Sequence, residues 1–297
     1  MKTDLLLQFT INGLIIGTLY GMVAMCFVLI YKASRAVNFA QGEFLLVGAW
    51  ICWWTLADLG LPFWLGFLIT MVALTLMGII IQYAVIRPLI GEPIISVIMV
   101  TIGMSVVLRG LTLWIFGAEP KSFPPLVASS TTRIAGLNIE TIYLWSTVVA
   151  VLGMAAFALF FKYSRLGLAM RATAFNQQVA QSLGVSIKRI FLVSWAISAL
   201  VSGVAGVVIG IVSGVSPGLT IIGIKVFPAV ILGGLDSIIG AVIGGIVIGL
   251  LENLAQFVDG EYLHWGNLYV IVPFYILVIV LMFKPYGLFG TRDIERI

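Results

Sequence analysis

Long apolar runs separated by short polar stretches dominate this chain. Runs near 8–31, 36–57, 62–85, 93–116, 141–161, 190–214, 236–254 and 267–283 each approach the roughly 20 residues a helix needs to cross a bilayer core. A further run, 219–233, is short, carries Lys225 and Pro228, and ends at Gly233-Gly234. Such a segment reads as a half-helix or re-entrant piece. The pattern predicts an all-α polytopic membrane protein in one transmembrane domain, residues 1–297. It has about eight transmembrane helices plus a broken or re-entrant segment.

Basic residues orient the runs. The polar stretch 162–189 holds Lys162, Arg165, Arg171, Lys188 and Arg189 and no Asp or Glu, which places it in the cytoplasm. Alternation then puts the loops at Lys32/Arg35 and Arg87 inside, and those at Asp58 and 117–140 outside. Asp259 and Glu261 lie in an outer loop, so 219–254 must leave and return about the turn at Gly233–Ser237. The N-terminus falls on the periplasmic side. The tail from Lys284, with Arg292 and Arg296, falls on the cytoplasmic side.

Composition narrows the class. Of 297 residues, 61% are hydrophobic and 9% charged, and mean hydropathy is +1.17. A soluble domain uses about a quarter charged residues, so a soluble fold of this size is excluded, and disorder with it. The net charge of +4 marks cytoplasmic loops. No dense Lys/Arg run with interleaved aromatics suggests nucleic acid. Cys26 and Cys52 fall at opposite depths and read as small apolar fillers. Glycines at four-residue spacing, Gly13/Gly17/Gly21, Gly206/Gly210/Gly214, Gly240/Gly244 and Gly245/Gly249, allow close helix approach, within the chain or at a subunit interface.

Several chemistries lack their residues. No phosphate-binding Gly-x-x-x-x-Gly-Lys-Ser/Thr loop is present. The lone histidine, His264 beside Trp265, suits an interfacial structural role. No nucleophile set, no cofactor site and no metal-ligand spacing is evident. Transport is the expected function.

Ionisable groups at membrane depth then become the candidates. Asn38, Gln41 and Glu43 crowd the start of one apolar run. Asn38 suits a helix N-cap and Glu43 suits the first turn. Three polar groups beside Gly42 further suggest a broken helix whose polar groups face a cavity or the preceding helix. Arg109 lies well within the fourth run and Glu252 toward the outer end of 236–254. They are expected to pair, or Arg109 to snorkel outward or meet a solute carboxylate. Lys225 sits beside the Pro228 break as an interior anchor or pathway residue. In the cytoplasmic stretch, Asn176 predicts the cap of a short helix over 177–183 that Gly184 ends. Its apolar Val179, Ala180 and Leu183 are placed on one face, seeking a groove on a cytoplasmic protein or the lipid interface.

Four motifs, in order, carry a resemblance across nearly the whole length. They are Asn38-Phe39-Ala40-Gln41-Gly42-Glu43; Arg165-Leu166-Gly167 through Arg171, Asn176, Ala180 and Leu183-Gly184; Gly233-Gly234-Leu235-Asp236-Ser237 through Gly240-Ala241; and Pro285-Tyr286-Gly287-Leu288-Phe289-Gly290. Together they resemble the LivH-type permease family of branched-chain amino acid ABC importers. Gln41 stands where many members have His, and Asp236 and Ile239 replace a common Gly and Pro.

The resemblance implies a permease subunit that works by alternating access and is not itself an enzyme. It implies a LivM-like permease, LivG- and LivF-like ATPases that hold ATP and Mg, and a periplasmic substrate-binding protein, all at the inner membrane and in contact with lipid. Arg165, Arg171, Asn176, Ala180, Leu183 and Gly184 would form the ATPase-coupling loop. Asn38, Gln41, Glu43, Arg109 and Lys225 are the pathway candidates. Related permeases handle urea, amides or small carboxylates. A stand-alone channel or secondary carrier for a small polar solute is the rival, and the 162–189 loop argues against it.

Overall fold

In the computed structural model, residues 2–124, 131–134 and 137–290 are described; the tail residues Arg292 and Arg296 lie outside them. The helices are α1 (Lys2–Ser34), α2 (Gln41–Ala57), α3 (Phe63–Ile81), α4 (Ile94–Phe116), α5 (Thr141–Tyr163), α6 (Arg165–Phe175), α7 (Gln177–Ser182), α8 (Ile187–Ser213), α9 (Thr220–Gly233), α10 (Ile238–Val258) and α11 (Leu268–Phe283). Among the described residues, six helical stretches are long and apolar enough to cross a membrane; Pro217–Gly233 and Leu268–Phe283 are shorter apolar helices. The fold is therefore the helical polytopic membrane class that the hydropathy pattern predicts. It adds one feature where a polar loop was expected. Strands β1 (Thr131–Ile134) and β2 (Leu137–Glu140) pair antiparallel, with Thr131 opposite Glu140.

The chain forms two compact units. The first gathers Met1–Val28, Ser129–Val151 and Lys225–Ile297. In it α1 approaches α10 closely along glycine rows. A Cβ at Gly13 would lie 2.9 Å from the Leu250 Cα, and one at Gly17 would lie 2.7 Å from the Ile246 Cα. In lipid, helices associate through such close packing rather than through a hydrophobic drive, so these rows serve contacts within the chain. Ser237 caps α10 by accepting from the Gly240 N–H at 3.0 Å. The turn before it receives the C-terminal motif: Leu288 N–H donates to the Leu232 carbonyl at 2.8 Å and Phe289 N–H to that of Gly233 at 3.1 Å. Two motifs that are separate in sequence thus form one backbone-bonded corner.

The second unit comprises Leu29–Ala128 and Leu152–Ile224. Here α8 is the central element, packed on α2 and α3. Gly206 lies under the Leu45 carbonyl, a Cβ at Gly48 would sit 2.6 Å from the Gly203 Cα, and Gly78 faces the Trp195 carbonyl. The outward faces of α3 and α4 carry Trp64, Met99, Val106 and Trp114, all exposed, as lipid-facing helices do. Cys26 and Cys52 are both buried, and the Cys26 thiol donates to the Met22 carbonyl.

Candidate functional site

The opening of α2 is where the second unit concentrates buried polar groups. Asn38, Gln41 and Glu43 are all essentially inaccessible. Asn38 is not the helix cap. The cap position is Ala40, which supplies no side-chain bond. Asn38 instead makes a local turn: its Oδ1 accepts from Ala40 N–H at 3.0 Å and its Nδ2 donates to Gln41 Oε1 at 3.0 Å. An Asn side chain that bonds its own backbone two residues on holds a non-helical turn, so α2 starts later than capping at residue 38 would require.

Gln41 continues the chain of bonds. Its Nε2 donates to Ser198 Oγ at 3.1 Å and to Ser202 Oγ. These serines lie four residues apart on α8, on one face. Ser194, one turn before, is also buried, and among the described residues no group bonds its hydroxyl. Gly42 allows the close approach of the next element, because a Cβ there would collide with the Thr220 carbonyl.

Glu43 takes both of its charge-assisted bonds from Arg109, through Nε at 3.0 Å and Nη2 at 2.6 Å, on the same oxygen. The Glu43 side chain is 2% exposed and that of Arg109 is 45% exposed. Depth explains why these partners meet. Phe39 N–H donates to Thr101 Oγ1 at 3.3 Å, and Thr101 lies seven residues into α4, about 10 Å along its axis at 1.5 Å per residue. Helix α2 therefore starts well along a membrane-length helix, which brings Glu43 within reach of Arg109. The broken helix suggested by the polar cluster is not what forms: α2 runs unbroken from Gln41, and its polar groups bond α8 and α4 rather than the preceding helix.

The expected pairing of Arg109 with Glu252 is not what forms. In the first unit, Glu252 pairs with Lys225 and accepts from the Tyr20 hydroxyl at 2.9 Å. Lys225 Nζ also sits 5.2 Å from the Tyr269 ring centre. Lys225 thus belongs to a second ionic cluster, distinct from the group formed by Asn38, Gln41, Glu43 and Arg109. Sequence reasoning had named Glu252 only as a partner and had missed Tyr20, Ser198 and Ser202. The four-residue spacing of Ser194, Ser198 and Ser202 in an apolar helix was the available signal.

The stretch after α5 folds as two short helices. Ser164 caps α6, accepting from Gly167 N–H at 2.8 Å. Asn176 ends α6 and caps α7, accepting from Val179 N–H at 3.0 Å. Gly184 follows at φ +86°, a left-handed conformation glycine adopts at little cost. Arg171 turns back, its guanidinium donating to the Phe161 carbonyl and lying over the Phe161 ring, while Arg165 is exposed. The expected apolar face is corrected in one respect. Ala180 is buried, whereas Val179 and Leu183 are exposed, and Phe175, which the sequence reading passed over, is 89% exposed. At 100° per residue Ala180 stands 100° from Val179, far enough to turn inward while its neighbour turns out. Beside α7, a groove of about 400 Å³ is lined by Ile90, Gly91, Gln177, Gln181 and Lys188.

In the loop after α10, His264 adopts φ +55° and its N–H donates to the Asp259 carbonyl at 2.7 Å. The Asp259 carboxylate accepts from Trp265 and Leu268 N–H groups, so both residues close a turn. Among the described residues, no group of three or more His, Cys, Asp or Glu is arranged to hold a metal.

Comparison with known proteins adds to this geometry. Residues 9–281 match the family described as branched-chain amino acid transport system / permease component. The permease LivH of a high-affinity branched-chain amino acid transport system in Salmonella typhimurium is 30% identical, over 98% of this chain and 97% of the relative. The permease BraD of such a system in Pseudomonas aeruginosa is 30% identical, over 98% of each chain. A probable LivH of Methanocaldococcus jannaschii is 28% identical, over 94% of this chain and 91% of the relative. Among solved structures, a chain of PsaBC from Streptococcus pneumoniae, solved with a Fab, shares the fold with a TM-score of 0.54 at 16% identity, covering 94% of this chain and 92% of its own.

Proposed function

This chain belongs to the family of branched-chain amino acid transport system permeases, and from that premise we propose that it is half of the membrane core of an ATP-driven importer for branched-chain amino acids. It is a multi-pass inner-membrane permease subunit, and its role is transport. The observation that carries the proposal is similarity to LivH over 98% of the chain. That span includes both polar clusters and the α6–α7 stretch.

The proposed assembly supplies what the chain lacks. No phosphate-binding loop occurs in the sequence, so ATP and Mg would be held by two LivG- and LivF-like ATPases. They would dock on α6–α7, where Phe175, Val179 and Leu183 offer exposed apolar side chains beside the basic Arg165. This orientation has α6–α7 and the C-terminus in the cytoplasm and the N-terminus in the periplasm. A LivM-like permease would complete the core. The exposure of Arg109 supports such a neighbour, because a guanidinium midway along a spanning helix faces protein or a water-filled cavity rather than lipid. A periplasmic binding protein would deliver the solute. Asn38, Gln41, Glu43 and Arg109 at the opening of α2 are the proposed pathway residues of the second unit, and Lys225 is the candidate of the first.

The test is gentle purification of the tagged chain from its native membrane, with its companions identified by mass spectrometry. Two ATPases and a second permease should be recovered, and Leu183→Glu or Phe175→Glu should lose the ATPases while keeping the permease. Vesicles holding the intact complex should take up leucine only with ATP and the binding protein. Recovery of the chain alone, moving leucine without ATP, overturns the proposal in favour of a channel or carrier.

A further inference from the structure

The cytoplasmic helices α6 and α7 are tied to the segment that leads into α2 by two side chains, one capping the end of α1 and the other the end of α6. Helix α1 ends at Ser34 and leaves its last carbonyls without helical partners. Gln177, the first residue of α7, donates through Nε2 to one of them, Ala33 O, at 2.9 Å. Helix α6 ends at Phe175 and leaves the same kind of orphan. Arg35, the first residue after α1, donates through Nη2 to Ala174 O at 2.6 Å. A cation at the end of a helix also meets the negative end of its dipole.

Three further observations make this junction stiff. Arg35 holds φ +56°, a left-handed conformation that a side-chain-bearing residue adopts only where its surroundings enforce it. Lys32 Nζ and the Arg171 guanidinium both lie over the Phe161 ring, at 5.9 and 5.6 Å from its centre. From Arg35 to Gln41 the chain has only the non-helical residues 36–40, and Asn38 locks that link to Ala40 and Gln41.

We propose that Arg35 and Gln177 are positioning residues that carry displacement of α6–α7 into the opening of α2, and so to Gln41 and Glu43. The inference rests on the proposed docking of ATPases at α6–α7. A short non-helical link pulled at Arg35 cannot absorb the movement, because Asn38 closes it onto the first residue of α2. Loss of both bonds would leave ATPases docked and active while the path no longer responds.

The experiment uses the whole complex in nanodiscs, with Cys26→Ala and Cys52→Ala and a reporter thiol at Phe39→Cys, a partly exposed site in the link. Labelling of that thiol by a maleimide is timed without nucleotide and with ATP and vanadate, alongside ATP hydrolysis and ATPase co-purification. With the strap intact, nucleotide should change the labelling rate several-fold. With Arg35→Ala and Gln177→Ala together, that response should vanish while ATPases remain bound and hydrolyse ATP. Arg35→Lys, which can still reach one carbonyl, should restore part of it. A full response in the double variant overturns the proposal, as does no response with the strap intact. If the double variant does not assemble, the single variants Arg35→Gln and Gln177→Ala decide, and a full response in both overturns it. Failure of ATPases to co-purify with the intact chain overturns the docking reading itself and is seen before any variant is made.

Discussion

Glu252→Ala gives the sharpest test of how the first unit is held. The Glu252 side chain is 8% exposed and its partner Lys225 21%, so the substitution strands a mostly buried ammonium. Breaking such a pair from one side costs about 3–5 kcal/mol. The Tyr20 hydroxyl, which donates to the same carboxylate at 2.9 Å, also loses its acceptor. The two losses share one group and do not add, so a cost near 4 kcal/mol is the working figure. At roughly 2–4 °C per kcal/mol for a domain of about this size, the melting midpoint should fall by about 10 °C. The assay is thermal unfolding of the purified chain in mild detergent, followed by tryptophan fluorescence at low and high salt. Burial limits screening, so the drop should be the same at both. Glu252→Gln keeps an acceptor for Tyr20 and should cost less. Lys225→Met combined with Glu252→Gln removes both charges and should recover more than half of the loss. A shift for Glu252→Ala under roughly 2 °C, or a double variant no better than the single, would refute the argument that the pair is a buried, mutually dependent unit.

Three other outcomes follow from the second unit. Arg109→Gln removes both bonds to Glu43 and should lower leucine uptake by the complex about tenfold, the effect of losing roughly 1.4 kcal/mol. Arg109→Lys, a point charge in place of a fork, should restore only part. Gly206→Ala drives a Cβ into the Leu45 carbonyl, whereas Gly110→Ala meets nothing within 4 Å. The first should unfold at least about 2 kcal/mol more easily, as overpacking does, and the second should be neutral or stabilising by up to roughly 1 kcal/mol, both read in the same melting assay. Asn176→Ala removes the cap of α7 at about 1 kcal/mol; amide exchange across 177–182 should quicken, and Asn176→Asp should not change it.

What the sequence made legible is what one-dimensional patterns control. Hydropathy located the apolar helices, with ends that miss by up to about six residues at α1 and five at α2, and the short run with Lys225 and Pro228 became α9. Asn176 and Gly184 bracket α7 because capping and left-handed turns are local chemistry. The pairing of buried charges was not legible, because it depends on how far along its neighbour each helix starts. Taking α2 to begin near residue 36 keeps Glu43 at the interface and leaves Arg109 to seek Glu252. The Asn38 turn delays α2 to Gln41 at the level of Thr101, and Glu43 becomes the partner. Ala180 escaped for a related reason: an apolar residue on a short helix fits a partner's groove as well as its own protein's interior. The Arg35–Gln177 strap was invisible because both side chains bond backbone carbonyls, and a carbonyl leaves no mark in the residue pattern.

On the proposed function, an asymmetry found in each ionic cluster would bear on the solute. In each, the carboxylate is nearly sealed, at 2% exposure for Glu43 and 8% for Glu252, while the cation is more open, at 45% for Arg109 and 21% for Lys225. The charges cancel within each pair. A lone cation in a path through lipid would hold an anion tightly, since little water competes for it. A cation already satisfied by a sealed carboxylate attracts a second carboxylate only weakly, and its partner's charge answers an ammonium. On the proposed reading such a path suits a zwitterion of zero net charge, which must be favoured enough to enter and held weakly enough to leave. Neutralising one member of a pair should therefore do more than lower stability: Arg109→Gln leaves a net negative lining beside Gln41. Uptake of leucine should then fall more steeply than that of a cationic analogue such as leucinamide. Equal losses for the two solutes would show that the pair acts on packing alone.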